Sequence, residues 1–267
     1  MRGNQVFPHP TQRVVAMNKP LLPTLAFTLA LVSSASVLAE EHGHSAHWDY
    51  VGQEGPEHWG DLDPNFDLCK RGKNQSPVDL KHFVDSRLPP IGFHYKPGGH
   101  DEVNNGHTIQ VDYDAGSTIT IDGRDYELKQ FHFHTPSENH IAGHEFPMEA
   151  HLVHADKEGH LAVIAVMIER GIENRALANA WSVMPDHPNT TVHLATEVSA
   201  EDLLPTNRDY YRFSGSLTTP PCSEGVLWLV MQHPITASPK QITQFAHVMG
   251  HPNNRPIQEL NARLIVK

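Results

Sequence analysis

The chain has 267 residues, a formal net charge of −11, 21 histidines and two cysteines. Its length suits one domain or a small pair. The acidic balance and the lack of any basic stripe exclude nucleic acid and anionic membrane as partners.

In chain order the first feature is an export signal. Lys19 precedes an apolar run from Leu21 to Val32, and small residues lead to Val37-Leu38-Ala39. This is the n-region, h-region and cleavage pattern of a secretory signal peptide. The run is too short to span a bilayer, and a short membrane anchor is the weaker alternative. Residues 1–39 are expected to be removed. Met17 is the natural start, which leaves residues 1–16 as an upstream extension or a misread start. Loss of Arg2, Arg13 and Lys19 takes the formal charge to −14. Residues 40–267 are expected to form one periplasmic or secreted domain with no membrane span. The mature N-terminus, EEHGHSAHW, carries His42, His44 and His47 and reads as a solvated tail. In an exported protein Cys69 and Cys222 read as a disulfide, with two buried thiols as the alternative. The bridge would close a loop of about 150 residues, worth roughly 5 kcal/mol in the chain-entropy account.

From residue 107 onward the chain is punctuated like a sheet. HTIQVDY, STITIDG, YELKQFHFH, MEAHLVHAD, HLAVIAVMIE and, from Gly225, GVLWLVMQ are rich in β-branched and aromatic residues and are separated by Gly, Asp and Pro. One helix is expected from about Glu173 to Met184, before Pro185. A second starts at Ser238-Pro239, with Gln241 completing a capping box. The fold class is mostly β (α+β): a single domain around a large, twisted, mainly antiparallel sheet with short peripheral helices.

The chemistry concentrates in QFHFHTPSEN. On a strand, Gln130, His132 and His134 share one face, while Phe131 and Phe133 take the other. In MEAHLVHAD, Glu149, His151 and Val153 share a face and His154 points away. If the two strands are neighbours, three imidazoles converge, and three histidines with one open position mark catalytic zinc. Such histidines need their second ring nitrogen held, and Gln130 and Glu149 each stand two residues before a candidate ligand. A lone His-x-His pair is weak evidence in so histidine-rich a chain. A cupin-like site fits only in part, because Tyr126 replaces a required glycine and no P-x-G-x-x-H follows.

Seven segments, NQSPVDL, NNGH, QFHFHTPSEN, MEAHLVHAD, LAVIAVMIERG, GSLTTPPC and RPIQELNAR, stand in the order found in the α-class carbonic anhydrases. From about Trp48 to the C-terminus the chain resembles that family, and the export signal and cysteine pair resemble its bacterial periplasmic branch. The resemblance implies reversible hydration of CO₂ by a zinc-bound hydroxide, with Zn²⁺ on His132, His134 and His151. It also implies that Thr218 orients the hydroxide and passes a hydrogen bond to Glu138. Val153, Val163, Leu217 and Trp228 are implied to wall the CO₂ site, and Thr219 to contact bicarbonate. His107 matches the proton shuttle; taken alone, a histidine after Asn-Gly is a turn residue. A shuttle matters because unaided release of a proton from a group of pKa near 7 is capped at about 10³ s⁻¹ by diffusion. The family pattern further implies cis bonds before Pro77 and Pro221 and suggests a homodimer, for which the sequence shows no interface signal. Rival functions are a non-catalytic binding module on the same fold and a periplasmic metal buffer, with ester hydrolysis as a side activity of the same site.

Overall fold

A computed structural model describes residues 46–267; the expected signal peptide, His42 and His44 lie outside the described residues. Thirteen strands follow in order: β1 (Asp79–Leu80), β2 (Gly92–His94), β3 (Gly99–Asn104), β4 (Ile109–Tyr113), β5 (Thr118–Ile121), β6 (Arg124–His134), β7 (His140–Ile141), β8 (Met148–Ala155), β9 (Leu161–Arg170), β10 (Thr190–Val198), β11 (Tyr210–Ser216), β12 (Glu224–Met231) and β13 (Ile235–Ala237). Four helices, α1 (Trp59–Leu62), α2 (Leu68–Arg71), α3 (Arg175–Ala180) and α4 (Pro239–Met249), are peripheral. Eleven strands make one sheet, whose main path runs β10-β3-β4-β6-β8-β9-β12-β11. Only the β9–β12 and β9–β13 pairings in it are parallel. β1 and β7 form a separate parallel pair.

The six expected strands are present. β1, β2, β3, β7, β10, β11 and β13 were not expected, and for β3 and β10 the pattern explains why. β10, TTVHLATEV, buries only Leu194 and Val198, and β3 is GHDEVN, with two acids. The first helix starts later than expected because Asn174 caps it, accepting the N–H groups of Ala176 and Leu177, and its last turn tightens to a 3₁₀ turn at Trp181–Val183. α4 carries the expected capping box and ends at Gly250 in the left-handed conformation. The peptide bonds before Pro77, Pro136 and Pro221 are cis.

The sheet is apolar on both faces. One face packs Ile109, Val111, Phe131, Phe133, Leu152 and Ile164 beneath α3 and α4, through Leu177, Trp181 and Phe245. The other packs Val163, Ala165, Phe213, Val226 and Trp228. β6 serves both faces through a bulge. Leu128 pairs with His154 but Gln130 with Val153, so Lys129 is an extra residue with no partner on β8. The bulge inverts the alternation. Tyr126 and Leu128 share the first core with Phe131 and Phe133, and the even-numbered residues after the bulge turn to the opposite face. On the first core's side the Trp181 Nε1 and both Glu102 carboxylate oxygens are buried without a hydrogen-bond partner, and Glu102 of β3 is 0% exposed. Burial pushes its pKa up to about 8.

Candidate active site

Cross-strand register assembles the site. Gln110, His132, His151 and Ala165 stand opposite one another on β4, β6, β8 and β9. In the adjacent row Gln130 faces Val153, which faces Val163, which faces Trp228 of β12. His134 pairs with Glu149. Every expected ligand and every sheet-borne wall residue therefore lies in two neighbouring rows or beside them.

The three imidazoles converge. Ring centroids lie 5.1 Å apart for His132–His134, 5.3 Å for His132–His151 and 4.6 Å for His134–His151, and one nitrogen of each falls within 4.8 Å of the others. The outer nitrogens are tied to acceptors. His132 Nδ1 donates to Gln130 Oε1 at 2.8 Å, His134 Nδ1 to the Asn253 carbonyl at 2.7 Å and His151 Nε2 to Glu149 Oε1 at 2.9 Å. These bonds fix the tautomers, leaving His132 Nε2, His134 Nε2 and His151 Nδ1 as lone-pair donors. Glu149 is itself held by the N–H groups of Glu138 and Asn139 and by Asn139 Nδ2 at 2.7–2.8 Å.

The donor set fits a zinc ion. His134 is 1% exposed, yet its Nε2 has no hydrogen-bond partner, and such orphans in a protein interior call for an explanation. Burial, with the neighbouring imidazoles as a second cause, holds His132 and His151 well below the usual imidazole range; burial lowers His134 too. Neutral imidazoles are the form that binds metal.

Glu138 stands behind the cluster, fully buried. Its Oε1 accepts the Arg255 N–H at 2.9 Å, and its Oε2, unpartnered, is 3.5 Å from His134 Nε2 and 3.9 Å from His151 Nδ1. It is outside the group whose donor atoms all meet within 4.8 Å. Burial pushes its pKa up to about 8, opposed by the Arg255 N–H and the Thr218 hydroxyl. A dication held by the histidines would draw it back toward the carboxylate form.

Thr218 and Thr219 sit in the loop between β11 and β12. The loop is closed by Leu217 N–H to the Ser223 carbonyl (2.9 Å) and Cys222 N–H to the Thr219 carbonyl (2.8 Å). Cys222 is disulfide-bonded to Cys69, as expected. Trp228 donates from Nε1 to the Ser216 carbonyl at 3.0 Å and meets the His151 ring edge-on at 4.9 Å. A Cβ on Gly215 would come within 2.2 Å of Ser76 Oγ and 2.8 Å of the Trp228 ring, so only glycine fits there. Val153 and Leu217 pack half-buried against the cluster that holds Val163 and Trp228.

A cleft of about 140 Å³ reaches the cluster, lined by Trp48, Tyr50, His107, Gln130, His132 and Thr219 among others. A roomier groove of about 810 Å³ at residues 85–91 and 208–210 holds no ligand cluster, so size does not mark the site. His107 stands in a turn and also lines the smaller cleft. Its N–H donates to Asn105 Oδ1 at 2.9 Å within the β3–β4 turn, and its ring stacks on Trp48 at 3.7 Å. Burial lowers its pKa below the usual imidazole value.

Two positioning residues escaped the sequence reading. Asn253 is fully buried; besides holding His134, it accepts the Thr135 N–H and donates to the His107 and Phe133 carbonyls. Arg255 threads its guanidinium between Gln75 Oε1, the Ser76 carbonyl and the Cys69 carbonyl at 2.8–2.9 Å. The only signal for Arg255 was the RPIQELNAR segment, which carries no periodicity, and Asn253 lies just before it.

A profile of the eukaryotic-type carbonic anhydrase family matches residues 54–267. A carbonic anhydrase of Pectobacterium atrosepticum is 48% identical over 90% of this chain and 98% of its own length. One from Neisseria gonorrhoeae is 49% identical over 92% and 97%. The solved α-carbonic anhydrase of Thermovibrio ammonificans, in complex with sulfanilamide, superposes with a TM-score of 0.83 at 50% identity, covering 84% of this chain and all of that one. With its histidine cluster and this length of shared sequence, the chain belongs to the α-class carbonic anhydrase family.

Proposed function

We propose the following division of labour for the reversible hydration of CO₂, the reaction that the family and the three-histidine cluster assign to this chain. His132, His134 and His151 would hold one zinc ion, each through one imidazole nitrogen. A zinc ion there supplies an acidified water as nucleophile, its pKa brought from 15.7 toward about 7, the value known for carbonic anhydrases. Three neutral imidazoles leave the ion's charge undiluted. Thr218, whose hydroxyl opposes the rise of the Glu138 pKa, would donate to Glu138 and so be left to accept a hydrogen bond from solvent at the metal, fixing how that solvent points. The apolar row of Val153, Val163 and Trp228, with Leu217, receives CO₂, and Thr219 contacts bicarbonate. His107 takes up the proton on the cleft wall.

The orphaned His134 Nε2, within a trio of imidazoles whose outer nitrogens are all hydrogen-bonded, carries this reading. Stopped-flow CO₂ hydration before and after chelation, with zinc measured on the same sample, tests it. Activity that survives removal of the metal would refute it. For Thr218, the Ala variant should lose about 100-fold in kcat/KM and the Ser variant should recover most of that; equal losses would sink its orienting role.

We further propose export to the periplasm, as in the bacterial branch. The signal pattern of residues 17–39 and the Cys69–Cys222 disulfide support it. N-terminal sequencing of the mature protein should begin near Glu40; a retained Met17 would contradict export. The catalytic domain is then residues 40–267. A homodimer is the assembly that the family resemblance supports, and sedimentation as a monomer would refute it.

A further inference from the structure

We propose that His251, paired with Asp49, is a second station for proton export, taking the proton from His107 and passing it to solvent. The inference rests on His107 being the shuttle and extends it outward.

The need arises from where His107 sits. Its ring is covered on one face by Trp48, with centroids 3.7 Å apart and planes 9° from parallel. Its Nδ1 is buried and has no hydrogen-bond partner. A group so enclosed receives a proton from the cleft more easily than it meets bulk buffer. The residues that enclose it lead outward. Trp48 is followed by Asp49, whose Oδ1 lies 3.5 Å from His251 Nε2. Tyr50, which lines the same cleft, has its ring 6.5 Å from that of His251. Asn253, two residues beyond His251, donates to the His107 carbonyl at 3.0 Å. His251 and Asp49 are each about one-third exposed, at 29% and 31% of their side chains.

The hydrogen bonds of His251 set its direction of use. Nδ1 donates to the Pro252 carbonyl at 2.9 Å, so Nε2 carries the lone pair of the neutral ring. A proton arriving at Nε2 meets the Asp49 carboxylate. The transfer balances without any other reagent: the His107 imidazolium loses a proton, His251 Nε2 gains it, and a solvent buffer molecule then removes it. The titratable groups that face His107 are His47, Asp49 and His251. Asp49 opposes the lowering caused by burial, whereas His47 and His251 add to it. Tyr50 also faces this rim, with its pKa raised well above 10 by burial and so out of the working range. His251 is the one of these with both a fixed tautomer and a carboxylate partner.

The test compares His251→Gln, His107→Ala and the double variant as zinc-loaded full-length protein in dilute buffer, then with added imidazole. Stopped-flow hydration and heavy-oxygen exchange read proton transfer apart from CO₂ interconversion. His251→Gln should lower turnover roughly 2- to 5-fold in dilute buffer, less than the ~10-fold or more expected of His107→Ala. The loss should be confined to kcat, and imidazole should restore it. Because the two act in series, the double variant should be no slower than His107→Ala alone. Unchanged turnover in His251→Gln, a loss that imidazole does not rescue, or additive losses in the double variant would each overturn the second station while leaving the His107 reading intact. If His107→Ala itself turns over normally in dilute buffer, the shuttle and the second station both fall.

Discussion

Among the described residues two clusters bring three donor-bearing side chains within 4.8 Å of one another: His132, His134 and His151, and Asp156, Glu158 and His160 on the turn between β8 and β9. Spacing alone does not separate them; the state of their lone pairs does. Asp156 has already spent its oxygens. Oδ1 accepts the N–H groups of Glu158 and His160 at 3.0 and 2.8 Å, and Oδ2 accepts from Arg124 Nη1 and His160 Nδ1 at 3.0 and 2.9 Å. Glu158 and His160 are exposed. In the histidine trio every outer nitrogen is satisfied, and His134 Nε2 remains buried with nothing to bind. The trio's outward nitrogens are thus all held while an inward one waits for a partner; at the turn, Arg124 already neutralises Asp156 and ties the loop down.

The sharpest way to break that contrast is His151→Ala. It should abolish stoichiometric zinc and cut CO₂ hydration about 1,000-fold or more. Zinc retained at one per chain would mean that the trio is not the site. Next in size is Glu102, a buried carboxyl with no partner, against Glu149, which has four. Its folded pKa of about 8 lies above the unfolded value near 4.5. Its ionisation therefore costs the native state nothing below about pH 4.5. The penalty grows as the pH rises and is complete above about pH 8. Glu102→Gln should gain roughly 3–5 kcal/mol over the parent as pH climbs from 4.5 to 9. Parallel denaturant melts at the two ends would show it, and a pH-independent difference would refute the assignment. Glu149→Gln, which keeps the shape but loses the charge that holds His151, should weaken zinc 10- to 100-fold in a competition titration with a chelator. The smallest effect sharpens the other side: His160→Ala should leave zinc at one per chain and turnover unchanged, whereas a second equivalent lost with it would make the turn a real metal site.

What could be read in advance follows from range along the chain. The alternation in β6 and β8 exposed the ligands and two of their holders because those relations span two residues. The α4 capping box was equally local. β3 and β10 were missed because charged, half-exposed strands lack an apolar stripe. The holder of His134 was missed because Asn253 reaches it from 119 residues away through a backbone carbonyl, which any residue type possesses. Arg255 was quoted within a matching segment, but its bonds to residues 69, 75 and 76 span 179–186 positions, and no pattern in the chain points to them.

The unpaired Lys129 has a consequence for how the family's motif is to be trusted. It acts as a phase shifter in the strand, resetting which residues look toward solvent between Leu128 and Gln130. Were it drawn into regular pairing with β8 instead, alternation carried from the hairpin side would put His132 and His134 into the oily interior and swing Phe131 and Phe133 out toward the mouth. Every letter of QFHFH would survive, a pattern search would still flag it, and no metal would bind.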